Sequence, residues 1–313
     1  MSTAVKRDLS VNLAPLNPRG LVIGNPVIGA SGTVAYGKEM NRVSDLALIG
    51  AIVCKGITRY PRAGNLQPRL AETTAGLLNT IGLQNVGAEA AAETLAPMWA
   101  GWSLKVIANI SGDTVAEFGE IARILDGRPG ISGLEVNIGC PNVERGGLEF
   151  GVDARAAALV TETVKRATSL PVMVKLTPNV TDITEISRAV VDSGADCISL
   201  VNTYVGLSID VFKRRPALST VTGGLSGPAI KPLALAMVYK AAGAVDVPVV
   251  GMGGIANAQD ALEFIMAGAT AVQVGTANFT NPSACVEVAQ GLRDYMEQQG
   301  IDAVSCIVGA ARV

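Results

Sequence analysis

The segment 133–142, Gly-Leu-Glu-Val-Asn-Ile-Gly-Cys-Pro-Asn, places a thiol and two amides directly after an apolar, β-prone run. Pro141 fixes a turn that carries Cys140 between Asn137 and Asn142. A thiol flanked by amides can hold a polar ring and move a proton. A lone cysteine is more often a small core residue, but a glycine- and asparagine-rich loop before proline favours a functional role.

Histidine is absent from the sequence, and this limits the available chemistry. Ser–His and Cys–His pairs and histidine-ligated metal sites are excluded, so acid–base work falls to Cys, Lys, Asp, Glu or Tyr. The five cysteines lie far apart without a Cys-x-x-Cys pair, which argues against a disulfide framework and against a zinc or iron–sulfur site. We therefore expect no metal, and we expect Cys54 and Cys197, which lie in apolar runs, to be core residues.

The composition restricts the class of protein. The chain has 313 residues, 25 of them basic and 27 acidic, and 49 % are hydrophobic. Balanced charge without a basic cluster argues against a nucleic-acid partner. No apolar run approaches the roughly 18 residues of a membrane span, and the first residues lack the apolar core of a signal peptide. We expect a soluble, cytoplasmic protein.

Apolar, β-branched runs alternate with helical patterns from about residue 26 onward. Because these runs are continuous, they predict parallel strands that are covered on both faces. The candidate strands are Pro26–Ser31, Ala51–Gly56, Leu104–Ile110, Gly133–Gly139, Pro171–Leu176, Cys197–Thr203, Val247–Gly253 and Ala269–Thr276. Asp182 with Glu185 is typical of a capping box, and Asn257 with Asp260 of a similar helix start, with Gly268 as a stop. Further helices are predicted over Ala154–Ala167 and Ser283–Gln298.

Eight strands with interleaved helices predict a (β/α)8 TIM barrel, with residues 1–313 as a single domain. An open doubly wound sheet is the alternative, but no Gly-x-Gly-x-x-Gly follows the first strand. The segment Leu9–Val22 predicts a small hairpin at the bottom of the barrel. The connections Ile57–Gly87 and Tyr204–Gly227 are long for a barrel, and long ordered loops usually build or cover the active site.

Polar residues at the C-terminal ends of barrel strands converge on one site. Here these ends supply Ser31, Lys55, Asn109, Asn137, Cys140, Lys175, Asn202, Thr203, Gly253, Gly254, Gly275 and Thr276. Lys55 and Lys175 each follow an apolar run, where a lysine is costly unless it meets a negative or strongly polar partner. A solvated loop charge is the alternative for each lysine.

Glycines at the last strand ends predict a phosphate site. Gly253-Gly254 and Gly275-Thr276 end these strands, and Ser226-Gly227 precedes a helix that begins at Pro228. Glycines allow backbone N–H groups to approach an anion, and barrels commonly bind phosphate after strands seven and eight. Ordinary turn glycines are the alternative.

These groups together fit flavin mononucleotide (FMN) with a small polar ring stacked on it. They are a phosphate anchor, several amides, two lysines and a thiol. In this hypothesis Lys175 stabilises negative charge on the reduced flavin, and Lys55 bridges flavin and an anionic substrate. Cys140 is the base that removes a proton as hydride leaves for the flavin, helped by nearby cations because a free thiol titrates at about 8.5.

Four motifs, in order at the predicted strand ends, resemble those of dihydroorotate dehydrogenase. They are Asn-Thr-Ile-Gly-Leu-Gln-Asn at 79–85, Asn-Ile-Gly-Cys-Pro-Asn-Val at 137–143, Val-Lys-Leu-Thr-Pro-Asn-Val at 174–180 and Gly-Met-Gly-Gly at 251–254. The similarity runs over nearly the whole chain. The segment 222–232 is similar to class 1B catalytic subunits, whereas class 2 enzymes have a serine base and an N-terminal membrane helix.

The resemblance implies oxidation of (S)-dihydroorotate to orotate in de novo pyrimidine biosynthesis, with Cys140 as general base. It implies flavin contacts at Ser31, Lys55, Gly56, Asn109, Asn137, Lys175, Val201, Gly227, Gly253, Gly254, Gly275 and Thr276. It implies substrate contacts at Lys55, Asn79, Thr80, Ile81, Gly82, Leu83, Asn137, Asn142, Asn202 and Thr203. The sequence departs from the family pattern at Thr80, where alanine is common, and at Gly139, where serine is common. Glycine at 139 predicts a looser loop around Cys140.

Class 1B enzymes imply a partner, an electron-transfer subunit with FAD and a [2Fe–2S] cluster that passes electrons to NAD. The implied assembly is a heterotetramer around a homodimer of this chain. Alternatives are a class 1A enzyme that reduces fumarate, a dihydropyrimidine dehydrogenase-type barrel, which typically has histidine where Asn142 stands, and a phosphate-binding barrel with a regulatory or scaffold role.

Overall fold

The computed structural model describes residues 7–139 and 147–313, and within helix 147–152 the side chains of 150–152. The strands are β1 (Val11–Asn12), β2 (Val22–Ile23), β3 (Val27–Gly29), β4 (Ala51–Val53), β5 (Leu70–Thr73), β6 (Gly76–Asn79), β7 (Lys105–Ile110), β8 (Ile131–Asn137), β9 (Val172–Lys175), β10 (Cys197–Leu200), β11 (Tyr204–Gly206), β12 (Ile209–Asp210), β13 (Arg215–Pro216), β14 (Gly223–Ser226), β15 (Val249–Met252) and β16 (Ala271–Val274). The α-helices are α1 (Ala88–Ala90), α2 (Ala96–Ala100), α3 (Val115–Leu125), α4 (Gly147–Val152), α5 (Ala154–Ala167), α6 (Ile183–Asp192), α7 (Lys231–Ala242), α8 (Ala258–Met266), α9 (Ala277–Thr280) and α10 (Ala284–Gln299).

Within the described residues, eight parallel strands close a barrel in the order β3, β4, β7, β8, β9, β10, β15 and β16. The predicted (β/α)8 barrel is therefore confirmed. The strands are buried on both faces, as their continuous apolar sequences require. Four strands lie inside the predicted bounds at both ends, namely β3, β9, β15 and β16. Three others, β4, β7 and β10, share one predicted bound, and β8 starts two residues earlier, at Ile131.

The helices that cover the barrel begin where the sequence predicts. Asp182 caps α6, although its side chain accepts from the Thr184 N–H and not from that of Glu185. Asn257 caps α8 by accepting from the Asp260 N–H. In the part of the chain that the structure describes, no helix is both long and apolar enough to cross a membrane.

The predicted N-terminal hairpin is formed by β1 and β2, which pair antiparallel. Asn17, between these strands, donates from Nδ2 to Oδ2 of Asp196 at 3.2 Å, immediately before β10. The Leu21 side chain lies beside Gly133 near the start of β8. The hairpin therefore covers the N-terminal ends of the barrel strands, opposite the predicted site.

The two long connections meet in one antiparallel sheet, which we call the lid sheet, with the strand order β11-β14-β6-β5. β5 and β6 come from the segment 57–87, whereas β11 and β14 come from 204–227. The segments are joined by the β6–β14 pair and by a hydrogen bond from Ser219 N to Pro68 O, 2.8 Å. The two long connections therefore form the lid sheet at the barrel mouth.

Candidate active site

A buried polar cluster lies inside the barrel around Glu135, a residue that the sequence analysis missed. The Glu135 carboxylate is fully buried and accepts from Asn109 Nδ2 at 2.7 Å, Gln273 Nε2 at 2.7 Å and Ser199 Oγ at 3.0 Å. Lys175 Nζ lies 3.7 Å from Glu135 Oε1. The negative partner that a buried Lys175 requires is therefore present.

Asn109 leaves an acceptor open in this cluster. Its side chain is buried and its amide donates to Glu135, but Oδ1 has no hydrogen-bond partner among the described residues. A Cβ on Gly56 would lie 2.9 Å from that oxygen and 3.5 Å from Leu83 Cδ2. A buried carbonyl oxygen without a donor is costly, so this position fits a ligand that brings an N–H or O–H group.

The glycine-rich end of the barrel forms a cradle close to the backbone. Gly253 and Gly254 have φ values of +123° and +79°, and a Cβ on either would lie within 2.8 Å of a side chain of α7. Thr276 Oγ1 donates to Ser226 Oγ at 2.8 Å, so the ends of β16 and β14 meet here. Main-chain N–H groups exposed by such glycines suit a phosphate.

The amides at the ends of β8 and β10 form a second group. Asn202 donates from Nδ2 to Asn137 Oδ1 at 3.1 Å and also to the Gly139 carbonyl oxygen. Thr203 N donates to Asn202 Oδ1 at 2.8 Å. The structure therefore brings together three of the predicted substrate residues.

Asn179 is a further residue that sequence reasoning did not assign to the site. It donates to the Thr203 carbonyl oxygen at 3.2 Å and accepts from Val205 N at 3.0 Å. It thereby fixes the chain on both sides of Tyr204, where the lid sheet begins. Asn179 lies in the motif 174–180, and this is the sequence signal that could have assigned it to the site.

The predicted substrate loop, residues 79–83, continues directly from β6 of the lid sheet. Asn79 donates to the Gly224 carbonyl oxygen at 3.1 Å on β14. Thr80 is fully buried, and its hydroxyl accepts from Asn65 Nδ2 at 2.8 Å and bonds to Thr220 Oγ1 at 2.8 Å. The Thr80 hydroxyl, which an alanine at this position would lack, therefore joins the two long connections.

The other predicted flavin residues lie at the same mouth. Ser31 Oγ donates to the Cys54 carbonyl oxygen at 2.8 Å, and the half-buried Lys55 is fixed by its N–H to Ala35 O, also 2.8 Å. Val201 follows β10 and is buried. Burial raises the pKa of the Cys54 thiol to about 12, with the Glu135 carboxylate adding to the effect, so Cys54 stays protonated.

Cys140 and Asn142 lie outside the described residues, but the chain on either side of them is described. A Cβ on Gly139 would lie 2.6 Å from Thr177 Cβ, and a Cβ on Gly151 would lie 2.7 Å from Ile138 O. Gly139 is therefore closely packed, whereas the loop around Cys140, for which looseness is predicted, lies outside the described residues. A serine here would require the backbone or Thr177 to move.

Comparison with known proteins adds a second line of evidence. Residues 16–296 match the family model for dihydroorotate dehydrogenase. The chain is 51 % identical over 308 residues to "Dihydroorotate dehydrogenase B (NAD(+)), catalytic subunit" of Geotalea daltonii, which covers 98 % of this chain and 99 % of that protein. The protein of the same name from Desulforamulus reducens is 52 % identical over 309 residues, 99 % of this chain and 100 % of the relative. That of Porphyromonas gingivalis is 51 % identical over 292 residues, 93 % and 95 % of the two chains.

Proposed function

Because this chain belongs to the dihydroorotate dehydrogenase family of oxidoreductases, we propose that it oxidises (S)-dihydroorotate to orotate with FMN as its cofactor. The observation that carries the proposal is the convergence of an open buried acceptor, a buried lysine and a glycine cradle at one mouth of the barrel. These groups match the three parts of FMN: a ring with hydrogen-bond donors, a ring edge that gains negative charge, and a phosphate. The step belongs to de novo pyrimidine biosynthesis.

In the proposed complex the flavin lies across the barrel mouth. The phosphate would be held by Gly227, Gly253, Gly254, Gly275 and Thr276. The ring and ribityl chain would be contacted by Ser31, Lys55, Gly56, Asn109, Asn137, Lys175 and Val201. Bound FMN supplies the acceptor for the hydride that leaves C6 of the substrate. Lys175 places a positive charge where the ring gains electrons.

The substrate is proposed to lie between the flavin and the lid sheet. Its amide and carboxylate groups contact Lys55, Asn79, Thr80, Ile81, Gly82, Leu83, Asn137, Asn142, Asn202 and Thr203. The hydrogen bond from Asn202 to Asn137 fixes the side-chain orientation of both amides before substrate binds. The lid sheet excludes water from the reacting atoms.

Cys140 is proposed as the general base. It takes the proton from C5 while hydride leaves C6, so the two hydrogens depart as a proton and a hydride and a carbon–carbon double bond forms. The motif 137–143 supports this role, and no other cysteine is suited to it in the ranges 7–139 and 147–313. Cys54, Cys197 and Cys285 are buried, with raised pKa values, and Cys306 is exposed and follows α10 in the chain.

The proposal includes a partner. The relatives named above are catalytic subunits of NAD(+)-dependent enzymes, and no dinucleotide-binding fingerprint is found in the sequence of this chain. We therefore propose that electrons pass to NAD through a subunit that carries FAD and a [2Fe–2S] cluster. The assembly is proposed to be a heterotetramer built on a homodimer of this chain.

Substrate competition tests the proposal. The purified chain is loaded with FMN, and product formation is followed with an artificial electron acceptor for dihydroorotate and for dihydrouracil. Orotate formation at a kcat/KM at least 100-fold above that for dihydrouracil is expected. Preference for dihydrouracil would favour a dihydropyrimidine dehydrogenase-type barrel, and reduction of fumarate without a partner subunit would favour a class 1A enzyme.

A further inference from the structure

The Glu135 carboxylate itself has no role in the function proposed so far, although its neighbours Asn109 and Lys175 do. Glu135 lies on β8, and its contacts come from side chains on four other barrel strands within the described residues: Asn109 on β7, Lys175 on β9, Ser199 on β10 and Gln273 on β16. One carboxylate thus joins strands from both sides of the barrel. Its burial is complete, and an unpaired charge at such a depth would be strongly destabilising.

The carboxylate determines which atoms its neighbours expose. The Glu135 oxygens accept hydrogen bonds from both amides, so each amide turns its NH2 group toward Glu135. This leaves Asn109 Oδ1 and Gln273 Oε1 without hydrogen-bond partners in the described parts of the chain. The orientation of Asn109, and therefore the acceptor that it offers at the barrel mouth, follows from its hydrogen bond to the Glu135 carboxylate.

The contact with Lys175 has a different character. Its 3.7 Å separation is within ion-pair range but longer than a hydrogen bond. The pair therefore balances the charge of the lysine without a hydrogen bond between the two groups. A lysine that directly hydrogen bonded its counter-ion would be less free to bond a ligand.

We propose that Glu135 is a positioning residue of the flavin site. Its carboxylate orients the Asn109 side chain and partly neutralises the positive charge that Lys175 presents to the isoalloxazine ring. The inference rests on the proposed function, because it presumes that FMN occupies the barrel mouth. Glu135 acts through its neighbours and takes no part in proton or hydride transfer. Its negative charge opposes the gain of electrons by the ring.

The midpoint potential of bound FMN tests this role in the variant Glu135→Gln. Gln has nearly the same shape but no charge, so Lys175 is left uncompensated and the reduced flavin is favoured. We expect a more positive midpoint potential than in the wild type, and a lower affinity of the cofactor-free protein for FMN. Glu135→Asp, which keeps the charge, should restore the wild-type potential.

Two control variants separate charge from structure. Ser199→Ala removes a hydrogen bond to the same carboxylate without changing its charge, and Glu120→Gln makes the same chemical change at an exposed carboxylate beside Arg59. Glu120→Gln should keep the wild-type potential, and Ser199→Ala should shift the potential less than Glu135→Gln does. A Glu135→Gln protein with bound FMN and an unchanged potential would overturn the proposal.

A second measurement does not depend on FMN. Urea unfolding of the cofactor-free protein is compared for Glu135→Gln, Lys175→Met and the double variant. If the two charges compensate each other, the double variant loses less stability than the sum of the single losses. Additive losses would overturn the pairing, whereas a wild-type chain that binds no FMN would contradict the proposed function alone.

Discussion

At the residue scale, the account depends on a single thiol, Cys140, as general base. Cys140→Ala should keep FMN and lose dihydroorotate oxidation at neutral pH by about 10²- to 10⁴-fold in kcat, the usual contribution of a general base. Rates of orotate formation and the flavin absorbance of the same samples measure the two effects. Cys306→Ala is the matched control, because Cys306 is exposed and lies outside the proposed site. Near-full turnover in Cys140→Ala would refute the assignment.

Gly139 gives a prediction about stability. Gly139→Ser places a Cβ 2.6 Å from Thr177 Cβ, so the end of β8 must shift. Such overpacking typically costs about 1–3 kcal/mol, and we expect a corresponding loss in the free energy of unfolding in urea. Gly24→Ala is the control, since a Cβ on Gly24 meets no atom within 4 Å. Equal stability of the two variants would show that residue 139 has more room than the structure describes.

At the scale of elements, the lid sheet is expected to control substrate binding. Thr80→Val keeps the shape of the side chain but removes the hydroxyl that bonds to Asn65 and Thr220. Losing these two part-buried hydrogen bonds costs about 0.5–1.5 kcal/mol each. We expect a raised KM for dihydroorotate, with a smaller change in kcat, because Thr80 holds the loop and does not touch the reacting bonds.

Steady-state kinetics of Thr80→Val and of Thr94→Val provide the comparison. Thr94 is exposed on a helical segment and donates to the Ala90 carbonyl oxygen within it. Its variant should have wild-type kinetics. A Thr80→Val enzyme with an unchanged KM would mean that the lid sheet holds residues 79–83 without this contact.

Sequence patterns predicted the barrel strands, but they did not predict the lid sheet or the role of Glu135. Apolar runs such as Val172–Lys175 and Val249–Met252 were predictable as strands, because both faces of a barrel strand are buried. The same continuity hides which residues point inward, and Glu135 was therefore missed in the run 133–139. The lid sheet was missed as a sheet because β6 and β14 come from separate connections, and pairing across 145 to 149 residues leaves no local pattern.

The site itself was predictable where residues follow a strand end. Asn109, Lys175 and Gly254 were found because the C-terminal ends of barrel strands share one mouth. Ser199 and Gln273 lie in the middle of their strands, so only the three-dimensional structure places them beside Glu135.

At the scale of the whole molecule, the barrel separates stability at one end from chemistry at the other. Asp196, at the N-terminal end of β10, accepts from Lys165 Nζ at 2.7 Å, Val172 N at 2.7 Å and Asn17 Nδ2 at 3.2 Å. Asp196→Asn should lower the free energy of unfolding by about 1–3 kcal/mol, because it removes charge-assisted bonds. The kcat of the FMN-loaded variant should be unchanged. Urea unfolding measures the loss of stability, and steady-state assays measure kcat. A large loss of kcat would contradict the separation of stability and chemistry at opposite ends of the barrel.

The central claim, oxidation of dihydroorotate by a flavin at this barrel mouth, is tested most directly by one anaerobic mixing experiment. The FMN-loaded chain is mixed with dihydroorotate, and the absorbance of the flavin at about 450 nm is followed over time. Rapid bleaching with formation of one orotate per flavin is expected, before any electron acceptor is added. A yellow protein that does not bleach with dihydroorotate would contradict it.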